Sequence, residues 1–499
     1  MTASRNIYDA AGRLTAGTRY AGTAITGTAS FTERGLSYDK AGSMLALQRF
    51  GQNALTAEDN ISLTYNGMRL SSVTGAIGGQ SINASFTYDD CGRTTYDGVS
   101  SLNYIYDQVG ALASVSDAST SATLSTYRHL ADGTKYATVS PSSGALIYRG
   151  PFTLKVADIT ASTPSVSFLR AETGSAGAAI IANTSGTGAA PYYYVADHIG
   201  SVRAIVDGQG NIVERNDYYA YGKRHTTGRT YATLSNSQLL FSGKEDLGQA
   251  LDLASGATIG TSGLRVLDFG ARHYDPVVPR WTTQDPLAEK YFPINSYAYC
   301  AGDPVNYFDP KGLDRVPKAP EELLGTPEYY KWREEVFKER TGNESSYYSV
   351  YGYTYANAFK ELKESGRLST QGEKWVDEVM YSLQKAIEDH LESLGEDASL
   401  FEEESLKGQL NLYDYAFSTH AEAYKNIDGE APLTSLTIPD LFRIGLTPNP
   451  SDLISKEGRT QVVEVANYIL PDIAGKAISP LPIVFPQFIV VNLFLNSKL

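Results

Sequence analysis

The sequence predicts a multidomain chain, an antiparallel all-β region over residues 1–313 joined to a mainly α domain over residues 314–499. Three observations carry this. A Tyr-Asp-x-x-Gly motif recurs in the first third of the chain. The segments flanking it are β-favouring and partly alternating. The charge balance then breaks near Leu313, with 24 Lys+Arg against 26 Asp+Glu up to that residue and 18 against 30 beyond it. At 499 residues the chain also exceeds what a single core usually organises.

The repeat sets the local structure. Copies run from Tyr8, Asp9 and Gly12; from Tyr38, Asp39 and Gly42; from Tyr88, Asp89 and Gly92; and from Tyr106, Asp107 and Gly110, with a degenerate YNGMRL at Tyr65. Aspartate at the first turn position caps backbone amides and glycine at the fourth accepts positive φ, so each copy reverses the chain. LNYIY before Asp107 and SFTY before Asp89 have the composition of paired strands. A single Tyr-Asp is an ordinary turn, but four with one offset describe a hairpin array. Between about 115 and 190 the chain is rich in Ala, Ser, Thr and Gly, as either further strands with degenerate turns or a flexible insert.

Composition excludes several function classes. The acidic excess of the tail repels phosphate backbones, so no nucleic-acid partner is expected. Cys91 and Cys300 stand far apart with no CxxC spacing. They read as two buried thiols rather than a disulfide framework or zinc site. No basic segment followed by an apolar stretch opens the chain, so no ordinary secretory signal is read. The apolar run IVFPQFIVVNLFL at 483–495 is short and interrupted by Pro486, so it is expected to be a buried strand or docked terminus rather than a stable membrane span.

The stretches YYYVADHIGSVRAIVDGQGNIVERNDYYAYG (192–222), FSGKEDL (241–247), LRVLDFGARHYDPVVPRWTTQDPLAEKY (264–291) and NSYAYCAGDPVNYFDPKGL (295–313) together resemble the core of the Rhs/YD-repeat family. With the Tyr-Asp copies the resemblance covers about three fifths of the chain. It implies a YD-repeat β region over 1–190, an Rhs repeat-associated core over 191–313, and a variable, exchangeable effector over 314–499. The strands are then expected to wind into a shell that the core plugs at one end. Family shells use more repeats than this chain displays, which implies an open fragment completed by a further N-terminal portion.

The family includes secreted polymorphic toxins and insecticidal toxin-complex subunits, and the resemblance implies a toxin used in interbacterial competition. A cognate immunity protein and a delivery machinery are the implied partners. Export is expected by a specialised route, to the cell surface or beyond, from a cytoplasmic precursor. The competing reading is a non-enzymatic surface protein whose tyrosine-rich hairpins bind carbohydrate or a partner; a third is a truncated orphan cassette.

In the family two aspartates of a doubled DPxG-type motif cut the chain after the second copy. Here that copy is Asp309-Pro310-Lys311-Gly312-Leu313, which places the bond between Leu313 and Asp314. The first copy, Asp285-Pro286-Leu287-Ala288, lacks the glycine, and the separation is slightly longer than in self-cleaving members. Two close carboxylates sharing a proton can act as acid and base on a peptide bond. Asp285 and Asp309 are the candidates, with Asp303 as a substitute; the bland alternative is that Asp-Pro only initiates turns. Arg280 and Trp281 read as packing residues.

In the tail, Val376, Met380, Leu383, Ile387, Leu391 and Leu394 recur at helical spacing, with a capping box at Thr370 and Glu373 and a stop at Gly395. Further helices are expected over TYANAFKELKESG, ending at Gly366, over PEYYKWREEVFKER, and over SDLISKEGRTQVVEVANYIL. HExxH, P-loop, GxSxG and CxxC motifs are absent, so no cofactor and no metal centre are expected. His390 and His420 remain as acid/base candidates, against the commoner reading of satisfied helix residues. A hydrolase acting through carboxylates suits the acidic tail better than a nuclease, and a pore-former using the apolar end is the weaker option. The run Glu402-Glu403-Glu404 reads as a solvated face.

Overall fold

The computed structural model describes residues 2–21, 29–52, 55–131, 133–141, 144–150, 152–160, 166–171, 179–183, 189–197, 199–225, 239–247, 264–289, 292, 294–313, 315–317, 319–341, 343–394, 401–402, 411–427, 429–447, 463–465 and 467–469. The chain divides into two compact units, Met1–Val316 and Pro317–Leu499. The first carries a large antiparallel sheet and the second is helical, as the sequence predicts.

Among the described residues the sheet is a meander of nineteen strands, from β1 (Thr2–Tyr8) to β19 (Ile212–Arg215), in which each strand pairs antiparallel with the next. The Ala/Ser/Thr/Gly-rich stretch continues it: β10 (Leu112–Asp117) to β17 (Ala189–Ala196) are hairpin strands, not an insert interrupting the array.

The four predicted turns share one geometry. Oδ1 of Asp9, Asp39, Asp89 and Asp107 accepts the amide of the residue after the glycine at 2.8–3.0 Å. The glycine amide itself donates to the aspartate carbonyl. Gly12, Gly42, Gly92 and Gly110 have φ of +75°, +84°, +77° and +91°, a region closed to most side chains. Two further turns lack a preceding tyrosine: Asp197 with Gly200 and Asp207 with Gly210 make the same Oδ1 bonds. The turn position exposes Cys91, correcting its assignment as a buried thiol, while Cys300 is buried.

Four tyrosines, of which Tyr38 and Tyr106 open repeats, have a separate task. Tyr38 donates its hydroxyl to the Leu14 carbonyl, Tyr65 to Met44, Tyr106 to Thr94 and Tyr218 to Val202, at 2.7–3.1 Å. In every case the acceptor lies two residues beyond the glycine of an earlier turn, so each ring staples its hairpin to one already made. Arg13 covers the Tyr38 ring and Arg93 the Tyr106 ring, both at 4.9 Å. Tyr65→Phe is therefore expected to keep the ring and strand the Met44 carbonyl, lowering stability by about 1–2 kcal/mol. A shift in the denaturant midpoint of the β unit measures it, and an unchanged midpoint refutes the staple.

The inward face of the early strands packs on residues 199–308. Leu14, Leu47, Ile61, Leu70 and Val73 share one apolar cluster with Tyr221, Phe241, Tyr274, Trp281 and Phe308. A short four-stranded sheet, β20 (Glu245–Asp246), β21 (Leu267–Asp268), β22 (His273–Asp275) and β23 (Arg280–Trp281), forms part of this plug. Buried charges also join wall and plug. Arg49, fully buried, pairs with Glu33 at 2.8 Å and Asp59 at 3.3 Å and donates to the carbonyls of Pro276 and Val277. Lys135 pairs with Asp268 and Glu245, and its charge holds the Asp268 carboxyl down at about 2 against the opposing effect of burial.

The helical unit contains α1 (Glu328–Thr341), a π-helix (Ser346–Gly352), α2 (Tyr353–Glu364), α3 (Thr370–Leu394), α4 (Leu412–Lys425) and α5 (Ile438–Gly445). The predicted stripe of α3 is buried, with Leu383 half-buried. Its cap is Ser369 rather than Thr370: the Ser369 hydroxyl accepts the Gly372 amide and donates to Asp440, so the Thr370/Glu373 box does not form. Glu402 is not a solvated charge; it is buried and accepts the Tyr348 hydroxyl at 2.7 Å. Residues 463–465 and 467–469 are helical, while the rest of the predicted last helix, Gly395 and the run 483–495 lie outside the described residues. Among the described residues no helix is long and apolar enough to cross a membrane.

Candidate functional site

Arg272, the residue between the plug's first bend and β22, organises the site. It is buried, and its guanidinium carbon lies over Trp281, 4.1 Å from the ring centroid. Its fork reaches both predicted aspartates: Nη1 is 3.0 Å from Asp285 Oδ2 and Nη2 is 3.0 Å from Asp309 Oδ2. The carboxylates therefore meet through a guanidinium instead of through a shared proton. The same cation donates to main-chain carbonyls at the second motif, from Nε to Gly312 at 2.5 Å and from Nη2 to Leu313 at 3.2 Å.

The second motif is a tight turn around its own aspartate. Asp309 Oδ1 accepts the amides of Lys311, Gly312 and Leu313 at 3.2, 2.6 and 2.9 Å. Gly312 sits at φ +73°, and a Cβ there would come within 2.9 Å of the Arg272 amide nitrogen, so backbone conformation and close approach both require glycine. The first motif does not need one. Asp285 Oδ1 accepts the Leu287 amide at 2.8 Å, the Ala288 amide closes the turn onto the Asp285 carbonyl at 3.1 Å, and Ala288 has no positive φ.

Burial pushes the Asp309 carboxyl up, against the pull of Arg272 and three amides, and burial draws the Arg272 guanidinium down against the pull of both carboxylates. Both partners move toward their neutral forms, so desolvation outweighs attraction. A pair in that condition adds little net stability. Asp285 is the more open of the two carboxylates, with 13 % of its side chain exposed against 3 % for Asp309. A small cavity of about 40 Å3 is lined by Arg272, Trp281, Asp285, Ser296, Asp309 and Leu313.

Asp303 stands apart from this cluster. Its carboxylate accepts the amides of Val305 and Asn306 and the Asn306 side chain, the bonds of a turn cap. Arg280 is buried and donates to Tyr88, Thr94 and the Trp281 carbonyl, while Trp281 covers Arg272. Asp314 lies outside the described residues. Arg272 carries only a weak sequence signal, an arginine two residues before the Tyr274-Asp275 pair, which reads equally well as a strand charge.

In the helical unit the two histidines occupy aromatic surroundings. His390 stacks on Tyr415 at 3.7 Å and meets the edge of Phe401, and burial draws it down from its usual range. His420 is buried between Tyr351, Phe417 and Tyr424.

No protein-family model and no curated protein sequence matches the chain. Among solved structures, the crystal structure of TcdB2-TccC3-Cdc42 is similar over 63% of this chain and 17% of its own, at 17% identity and a TM-score of 0.43. The crystal structure of TcdB2-TccC3 without its hypervariable C-terminal region gives the same identity and score over 62% of this chain and 17% of that one. The crystal structure of TcdB2-TccC3 gives 16% identity and a TM-score of 0.39 over 62% and 19%. The chain thus spans less than a fifth of the length of the structures it is similar to.

Proposed function

We propose that residues 264–316 form a self-cleaving site that severs the chain between Leu313 and Asp314, and that the helical unit beyond is a toxic effector freed by the cut and used in interbacterial competition. The observation that carries the first half is one guanidinium touching Asp285, Asp309 and the Leu313 carbonyl together.

The chemistry follows from those contacts. Asp285, the more open carboxylate, takes a proton from a water that adds to the Leu313 carbonyl carbon. Arg272 is placed to stabilise the negative charge that develops on that carbonyl oxygen, and this kind of preorganised donor is often the largest single contribution to such a reaction. Asp285 then passes that proton to the departing nitrogen of Asp314, so a carboxylic acid forms at Leu313 and an amine at Asp314, while Asp309 holds the Arg272 fork beside the Leu313 carbonyl. The resemblance of residues 192–313 to the family core supports the effector half, and so does the separate core of the helical unit.

The test is mass spectrometry of the purified full chain beside Asp309→Ala. The expected result is a fragment beginning at Asp314 in the parent and its loss in the variant, a rate reduction of about 10³-fold or more. A parent that stays intact on prolonged incubation removes the release step. Residues 314–499 expressed alone test the effector separately: growth arrest is expected in at least one of cytoplasm, periplasm or membrane, and harmless expression in all three removes that half.

A further inference from the structure

The helical unit holds a second, small cavity, of about 40 Å3, beneath the π-helix. A π-turn is uncommon and is enriched at functional sites. Here the Ser345 side chain accepts the Tyr348 amide at its start, and the turn brings Tyr347 and Tyr351 to the cavity wall. Tyr330, Tyr355 and Tyr424 supply further walls, and the buried His420 completes them. Tyr351, His420 and Tyr424 form a near-parallel series of rings, at 17° and 23°. Met380 and Leu383 give an apolar floor. The Gln384 amide is committed to the backbone of Gly325 and Thr326.

The wall chemistry selects a ligand class. Among the described residues lining the cavity none is Lys, Arg, Asp or Glu, so a phosphate or carboxylate finds no cation there, and a metal ion or primary ammonium finds no carboxylate to replace its water. Tyrosine faces do attract a cation whose hydration is already weak, which describes an alkylated ammonium. The region after Leu313 adds a long-range preference of the same sign, with 18 basic against 30 acidic residues. We propose that this cavity binds a quaternary ammonium group, a trimethylammonium head held by the tyrosine faces with its methyls on Met380 and Leu383. The assignment does not rest on self-cleavage or on toxicity.

Calorimetric titration of the full chain with choline chloride and tetramethylammonium chloride tests it, with ammonium chloride as the hydrated control. Saturable one-to-one binding of both alkylated salts, and none of ammonium, is expected. Tyr355 is half-buried at the rim. Tyr355→Leu, which keeps apolar bulk but removes the π face, should weaken choline about ten-fold, while Tyr355→Phe should stay within about two-fold. Co-sedimentation with phosphatidylcholine vesicles separates the sources: binding to vesicles as well as choline points to a lipid head group, and binding to choline alone to a soluble ligand. Absence of saturable heat from either alkylated salt at millimolar concentration overturns the site. So does equal affinity of the Leu and Phe variants, or binding of indole where tetramethylammonium fails.

Discussion

Arg272→Met is expected to abolish cleavage after Leu313 and to destabilise the β unit at the same time. Removing the guanidinium leaves Asp285 and Asp309 facing one another in a buried setting, and breaking a buried pair from one side typically costs about 3–5 kcal/mol. It also removes the donor at the Leu313 carbonyl, and loss of one such donor lowers a rate by about 10²–10³-fold. Arg272→Lys separates the two effects. It retains the charge but not the planar fork that spans both carboxylates, so stability should recover more than cleavage does. Thermal unfolding and fragment appearance, measured on the same preparations, read the two quantities. Full cleavage in Arg272→Met, with the β unit still folded, would rule out a role for the guanidinium in the reaction.

Arg49→Met should also be strongly damaging, at about 3–5 kcal/mol. Two carboxylates contact Arg49, but they do not suffer equally. Asp59 keeps Lys223, which reaches both its oxygens, whereas Glu33 loses a buried partner at 2.8 Å. The cost should therefore trace to Glu33. Adding Glu33→Gln to Arg49→Met is expected to recover a large part of the loss, and a double variant no more stable than Arg49→Met would disprove this assignment. The carbonyls of Pro276 and Val277 lose a donor as well, so the remaining deficit should appear as loosening of the plug, seen as faster amide exchange across β22 and β23.

Much of the β unit was legible because its instructions are short. Asp9 caps the amides of residues 11 and 13 and Gly12 turns the chain between them, so five residues contain the whole device. Asp197 and Asp207 use the same device without the tyrosine, which marks the staple and not the turn. The staple itself was not legible, because the partner of Tyr38 is a main-chain carbonyl 24 residues back, and a carbonyl carries no side-chain identity to read.

The candidate site divides along the same line. Asp285 and Asp309 are visible through the prolines and turns attached to them, and the missing glycine of the first motif proves to be a position that needs none. Arg272 carries no such mark; its contacts lie 13 residues away at Asp285 and 37 at Asp309, and only the fold brings them together. Distance misled the reading of Glu402 too. A run of three acids reads as a wet surface until Tyr348, 54 residues earlier, is found against one of them.

The tyrosine staples and the Arg49 anchor differ in how far along the chain they reach. Tyr38 bonds back across 24 residues, while Arg49 waits for a carbonyl 228 residues ahead. Closing the longer span costs roughly 2 kcal/mol more in chain entropy, and its partner does not yet exist when Arg49 leaves the ribosome. Hairpins can therefore add to a growing stack while synthesis continues, each supported by its predecessor, as in linear repeat proteins. Until the plug arrives, the carboxylates of Glu33 and Asp59 remain hydrated and the inward surface stays wet. The last portion of the β unit to be made is thus the portion that dries its interior.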